Sequence, residues 1–232
     1  YLPQKLVSRA ILMNPTSYDG VAFFATNHPV NPRDSARGTF ANTFTGAPSG
    51  SYPGALPISG VTAEVALENL GKAIAYVSTI KQPNGVDPRN LTVKGIMVPP
   101  ALAQRAIQLT NARFIAQSAG AGALSGDIEA VVRNMGLGQP IVCPELAANY
   151  SFTEKGVTYT GSDSTYYLVV EEPVSDQLGP MLYSTREPVA VSYVGPETDR
   201  ELAIAREFKW MANGRSVVTP GHPYRLFRFL AT

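Results

Sequence analysis

Between residues 63 and 80, apolar side chains recur at Ala63, Leu67, Leu70, Ile74 and Val77, in steps of four, three, four and three. That spacing holds them on one face of a helix. Thr62 stands where an N-cap belongs, Glu64 suits the positive first turn, and Pro83-Asn84-Gly85 ends the segment. A helix with one apolar face needs a second apolar surface to cover it. Whatever this chain folds into must supply that surface.

A strand and a second helix follow in the sequence. Residues 91–98 are β-branched and aliphatic, and read as a strand running through Pro99-Pro100 into a helix over 101–117. Leu102, Ala106 and Leu109 mark one stripe of that helix, with Ile107 and Phe114 beside it. Residues 2–13 read as a helix end, with Leu2, Leu6, Val7 and Ala10 near helical spacing and Asn14-Pro15 as the stop. After the Asp19-Gly20 turn, residues 21–25 form a brief strand candidate. Further strands are expected at 141–143, 165–171, 186–194, 208–218 and 222–230, and short helices at 127–135 and 197–207. No segment repeats. Helices and strands alternate without a regular βαβ cycle, so the expected class is α+β.

Residues 27–60 are rich in Pro, Gly, Ser, Thr and Asn and lack periodicity over most of their length. A loop this long is uncommon inside a compact domain unless it has a task, such as covering a neighbour. It is expected to be ordered mainly by neighbouring molecules.

Composition narrows the function. With 232 residues the chain fits one large domain or two small ones. Charged residues are 16%, well below the usual ~25%. A surface short of charge hints at cover by other subunits. The formal net charge is +1 and no Lys/Arg run stands out, so no footprint for nucleic acid is visible. The apolar stretches are far too short to span a bilayer. The lone Cys143 cannot form an internal disulfide, which suits a reducing cytoplasm. The chain begins at Tyr1 without a Met or a signal-peptide pattern, and is expected to be a processed or truncated product.

Tools for catalysis are few. The two histidines, His28 and His222, each precede a proline. A triad needs a His, an activated Ser or Cys, and an orienting acid, and no G-x-S-x-G elbow is present. Cys143 lies between Val142 and Pro144, where a small buried thiol is the plain reading. Asp19, His28 and Asp34 are close in sequence, but no metal-ligand spacing supports them. Turn chemistry and a His–Pro corner packed on aromatics account for them better. Gly120-Ala121-Gly122 with Gly126 departs from the phosphate-binding fingerprint in spacing and follows a helix, so a flexible loop is expected. Glu171 and Glu172 are adjacent on a strand and face opposite ways, which disfavours paired acid–base work; Glu197 and Asp199 form a second acidic pair. No catalytic, cofactor-binding or metal-binding residue is assigned.

Four segments together carry a resemblance. They are DGVAFFATNHP at 19–29, GTFANTFTG at 38–46, VKGIMVPPAL at 93–102, and 166–188, where YYLV leads to PMLYSTREP. In this order and spacing the chain resembles the Mu-like prophage major head subunit, the major capsid protein of Mu-like tailed phages. The first and third segments are the specific ones.

The resemblance implies an α+β, HK97-like capsid fold with an axial and a peripheral domain. Residues 1–95 would hold the end of the spine helix, the long loop and a peripheral-domain helix. Residues 96–199 would form the axial domain, and 200–232 would return to the peripheral domain as strands. The family's N-terminal arm and extended loop have no counterpart in the sequence. The implied role is structural and not enzymatic, without cofactor or metal. Copies would assemble into hexamers and pentamers of an icosahedral shell around double-stranded DNA, which is held only non-specifically. Scaffold, protease and portal would be assembly partners, no membrane would be involved, and the product would be a virion capsid made in the bacterial host cytoplasm. The alternatives are a hydrolase using His28 or Cys143, or a phage decoration or tail binding module.

Overall fold

The computed structural model describes residues 2–48, 52–111, 137–173, 179–194 and 209–230. The glycine loop around Gly120, Phe114, the expected helices at 127–135 and 197–207, and the acids Glu197 and Asp199 lie outside these residues.

Three helices are described, α1 (Leu2–Met13), α2 (Ala63–Ser78) and α3 (Pro100–Asn111). The strands are β1 (His28–Pro29), β2 (Thr39–Phe40), β3 (Thr43–Phe44), β4 (Thr92–Val98), β5 (Ile141–Val142), β6 (Ser151–Glu154), β7 (Val157–Thr160), β8 (Tyr166–Glu171), β9 (Met181–Val194), β10 (Lys209–Pro220) and β11 (Leu226–Phe229). The class is α+β, as the element order suggested.

A five-stranded mixed sheet in the order β3-β11-β8-β4-β5 organises the body. β8 pairs antiparallel with β4 and β11, while β3 and β5 run parallel to their neighbours at the two edges. The period of two in β8 divides the core. Tyr166, Leu168 and Val170 enter a cluster shared with α2 and α3. Tyr167 and Val169 face a second cluster that includes Ile11 of α1, Phe23, Phe24 and Cys143. Both faces of the sheet are thus covered, which is why YYLVV is a continuous apolar run instead of an alternating one.

Rings brace the first face. Tyr166, Phe229 and Phe44 stand opposite one another across three adjacent strands, with centroids 4.8 Å and 4.5 Å apart. Tyr52 stacks on the far side of Phe44 at 5.4 Å. The Tyr166 hydroxyl donates to the Leu56 carbonyl at 2.9 Å, so its one polar atom is satisfied within the core.

Several expectations change. The buried stripe of α2 is Ala66, Leu70, Ala73 and Val77, one step round from the expected face, with Ala63, Leu67 and Ile74 on its flank. The small alanines let the helix approach the sheet closely. Thr62 caps the helix as expected, its side chain accepting from the Val65 N–H at 3.3 Å. In α3, Leu102, Ala106 and Leu109 are buried, whereas Ile107 is exposed. Residues 21–25 form no strand, only a single bridge between Thr16 and Ala22. The hairpin β6–β7 was not anticipated. It turns on Lys155 and Gly156, both with positive φ, and the lysine lacks the usual Asn or Asp signal.

The largest correction concerns residues 27–60. They carry β1, β2, β3 and a 3₁₀ turn, and bury Val30, Phe40, Phe44, Leu56 and Ile58 in this chain's own core. Their order comes from within the molecule, because five large apolar side chains are placed to pay back the loop's entropy.

The sheet draws on all three expected sections: β3 from 1–95, β8 and β5 from 96–199, and β11 from 200–232. The boundary at 95/96 falls inside β4, and β9 pairs with β10 across the boundary at 199/200. No helix among the described residues is long and apolar enough to cross a membrane.

Candidate functional site

The segment DGVAFFATNHP folds around one buried histidine. Gly20 takes a positive φ in the turn, and the Asp19 carboxylate accepts from the Val21 N–H at 3.2 Å. Its other oxygen lies 2.6 Å from His28 Nδ1, while His28 Nε2 lies 3.0 Å from the Phe23 carbonyl. The His28 and Asp19 side chains are 0% and 2% exposed. Both ring nitrogens are thus engaged within the loop, one by a carboxylate and one by a backbone carbonyl. The ring also stacks on Phe40 at 5.3 Å.

Asn42 ties this knot to the sheet. Its amide nitrogen donates to the carbonyls of Phe23 at 2.6 Å and Pro223 at 2.9 Å, and its oxygen accepts from the Ala25 N–H at 2.9 Å. Asn14 performs the same service on the other side, accepting from the Phe24 N–H at 2.6 Å. The first two resemblance segments are therefore sewn together, and the third and fourth supply β4 and β8 beside them. The sequence marks Asn14 only as a helix stop and does not mark Asn42 at all. The signal available was an amide inside an apolar run, FANTF.

A hydrolytic triad would aim His Nε2 at a nucleophile. Here Nε2 meets a backbone carbonyl, so the pair braces the loop. Asp34 turns away from it, capping a 3₁₀ turn and pairing with Arg37 at 2.9 Å. His222 packs between Tyr18 and Tyr224. Cys143 is buried beneath α1, with Ser8 Oγ and Gln4 Nε2 at 3.8 and 3.9 Å. Burial pushes its thiol pKa up, partly offset by those contacts, and the nearby Glu145 charge adds to the rise. A thiol held protonated is a poor nucleophile. Glu171 pairs with Lys94, and Glu172 with Arg89 and Arg225, so the two carboxylates serve different partners. No group of three or more His, Cys, Asp or Glu side chains among the described residues is placed to hold a metal.

The feature least explained by internal packing is the β9–β10 ribbon. Among the described residues its two strands pair only with each other. At about 3.3 Å per residue, the 12 residues of β10 reach on the order of 40 Å. α1 packs on it. Val189 and Val191 are 57% and 65% exposed, and Met211 and Val217 stand out on the other face. A groove of about 960 Å³ lies between α2 and the 27–60 segment, lined among others by Phe40, Leu56 and Ile80. It gathers no paired acid and base.

No family model matches the chain, and no curated protein matches it.

Proposed function

We propose that this chain is a structural subunit, and not an enzyme, that self-assembles into the head shell of a Mu-like tailed phage or prophage. In this reading it has an HK97-like fold and forms the hexamers and pentamers of an icosahedral capsid around double-stranded DNA. α1 is the end of a spine helix, and the ribbon beneath it belongs to the peripheral domain.

The observation that carries the reading is the ribbon. A two-stranded ribbon is marginal in water unless something packs on it, and this one leaves both faces largely bare over much of its length. A subunit built to be covered by copies of itself accounts for such a surface. The resemblance adds a second support. The residues that carry it build core and loop braces, as expected where a family shares a scaffold more than a reaction.

The test is electron microscopy with light scattering on the protein expressed from its full reading frame. Capsomers or large closed particles are expected. A strict monomer at high concentration would overturn the proposal. Binding to preformed heads without self-assembly would favour a decoration module instead.

A further inference from the structure

We propose that Asn84 is a self-modifying site, converted without an enzyme to aspartate and isoaspartate by attack of the Gly85 backbone nitrogen on its side chain. The proposal is independent of the self-assembly reading.

The fold leaves little choice of residue at this turn. Gly85 has a φ of 75°, and a Cβ on it would come within 2.9 Å of Arg37 Cδ. A side chain is disfavoured on both counts, so the residue after Asn84 stays a glycine with an unhindered nitrogen. Asn84 in turn ties the loop. Its Oδ1 accepts from the Val86 and Asp87 N–H groups at 3.0 and 3.1 Å, and its Nδ2 donates to Asp87 Oδ2 at 2.6 Å.

The same contacts suit the reaction. Water takes the proton from Gly85 N, the nitrogen bonds to Asn84 Cγ, and the carbonyl electron pair moves onto Oδ1. The two N–H groups already aimed at Oδ1 stabilise that oxyanion. The pair then returns, the Cγ–Nδ2 bond breaks, and Nδ2 takes a proton from water and leaves as ammonia. The Asp87 carboxylate stabilises the positive charge on Nδ2 as it departs. Water opens the resulting cyclic imide at either carbonyl, giving aspartate or isoaspartate. Attack requires the Gly85 N–H to leave the Gln82 carbonyl, which holds it at 2.8 Å. Residues 82–84, 86 and 87 are exposed, and segments of this kind open with small free energies.

The chain carries its own control. Asn213-Gly214 is its other Asn-Gly pair, and Asn213 is exposed too. Asn213 lies in β10 opposite Ala190, with its Nδ2 on Met211 Sδ at 3.3 Å. An extended strand sends a side chain out of the sheet while the next N–H lies near its plane, so Gly214 N is kept from Asn213 Cγ until the paired strands open.

Conversion of Asn84 sets a second carboxylate against Asp87, and isoaspartate lengthens the backbone at that point. The Asn84 carbonyl accepts from Arg37 Nη1 at 2.9 Å, and the Pro83 carbonyl accepts from Asn31 Nδ2 at 3.1 Å. The turn is thereby loosened from the 31–37 corner, beside the groove that Arg37 and Lys81 help to line.

The experiment ages the full-length protein at mildly alkaline pH, with circular dichroism verifying that it stays folded. Peptide mass spectrometry follows amide-to-acid conversion at both Asn-Gly pairs, and isoaspartyl methyltransferase labelling detects isoaspartate. In the folded protein Asn84 should convert at least about tenfold faster than Asn213. In urea the two rates should converge. Asp87→Asn should slow conversion of Asn84 several-fold and leave Asn213 unchanged. Equal rates in the folded protein, or a lead for Asn213, would overturn the proposal. So would an Asn84 rate that Asp87→Asn does not alter, since the turn would then contribute nothing to the reaction.

Discussion

In β8, residues 166–170 lie against apolar neighbours on both faces, whereas in β9 Val189 and Val191, no less apolar, stand in water. Residue type is similar, and what differs is the number of layers. The sheet has helices α2 and α3 on one side and α1 with the 14–25 loop on the other. Among the described residues, α1 packs on the ribbon, where Ser216, Val218 and Pro220 are half-buried. Hydrophobicity marks a surface that wants cover, while topology decides whether the cover comes from the same molecule.

That contrast can be broken most forcefully at the ring stack. Phe229→Ala should destabilise the fold by about 3–5 kcal/mol, because it opens a cavity between Tyr166 and Phe44. Urea unfolding monitored by circular dichroism checks this, and a loss below about 1 kcal/mol would mean the stack is not the keystone of the body. The buried brace comes next. Asp19→Ala leaves His28 Nδ1 without its buried hydrogen-bond partner and should cost about 1–3 kcal/mol. Full retention of the melting temperature would show that the 19–29 segment is not held by this pair.

The tyrosines report the same contrast through pH. Burial holds the Tyr166 phenol far above its ordinary range and pushes Tyr167 up to about 12. Tyr183 on the ribbon lies below its ordinary value, through hydrogen bonding with Ser216 and then Thr185. Folded-state values raised for Tyr166 and Tyr167 mean that their contribution is intact below the unfolded phenol value of about 10 and is lost as pH climbs above it. Ultraviolet difference titration should show Tyr183→Phe removing the earliest phenolate signal and Tyr167→Phe removing a late one, with stability falling above pH ~10. The reverse order would place the ribbon inside the protein. The smallest effect is expected from Val191→Ala in the isolated subunit, within about 0.5 kcal/mol of wild type by the same urea measurement. A larger loss would mean that the subunit itself already covers this residue.

Long periodic elements were legible in the sequence. Leu2–Met13 matches its expected helix, and α2, β4, β8 and β10 lie within a few residues of theirs, whereas β9 starts at Met181 and not at the expected 186. Two-residue strands such as β1, β2 and β3 were not, since a period of two needs more than two residues to show. Their partners are also far away: Thr43 pairs with Arg228, a connection that no local pattern reports. The brace between Asp19 and His28 was half legible. Both residues were noted, but a turn and a His–Pro corner do not by themselves tell that the two side chains meet. The ribbon's strands were read, and its exposure was not, because an apolar strand looks the same in sequence whether its cover lies in its own chain or another.

The placing of β11 has a consequence for synthesis. It sits between β3 and β8, and its Arg228 is 185 residues from Thr43. A ribosome delivers β3, β8 and β4 long before the strand that separates the first two. Until residue 229 emerges, β8 keeps an open edge and Phe44 lacks the ring it stacks on. Helices and the β8–β4 pair can form as the chain lengthens, but closure of the sheet must wait, and a nascent chain stalled before that point carries an unguarded strand edge on which chaperones or aggregation can act.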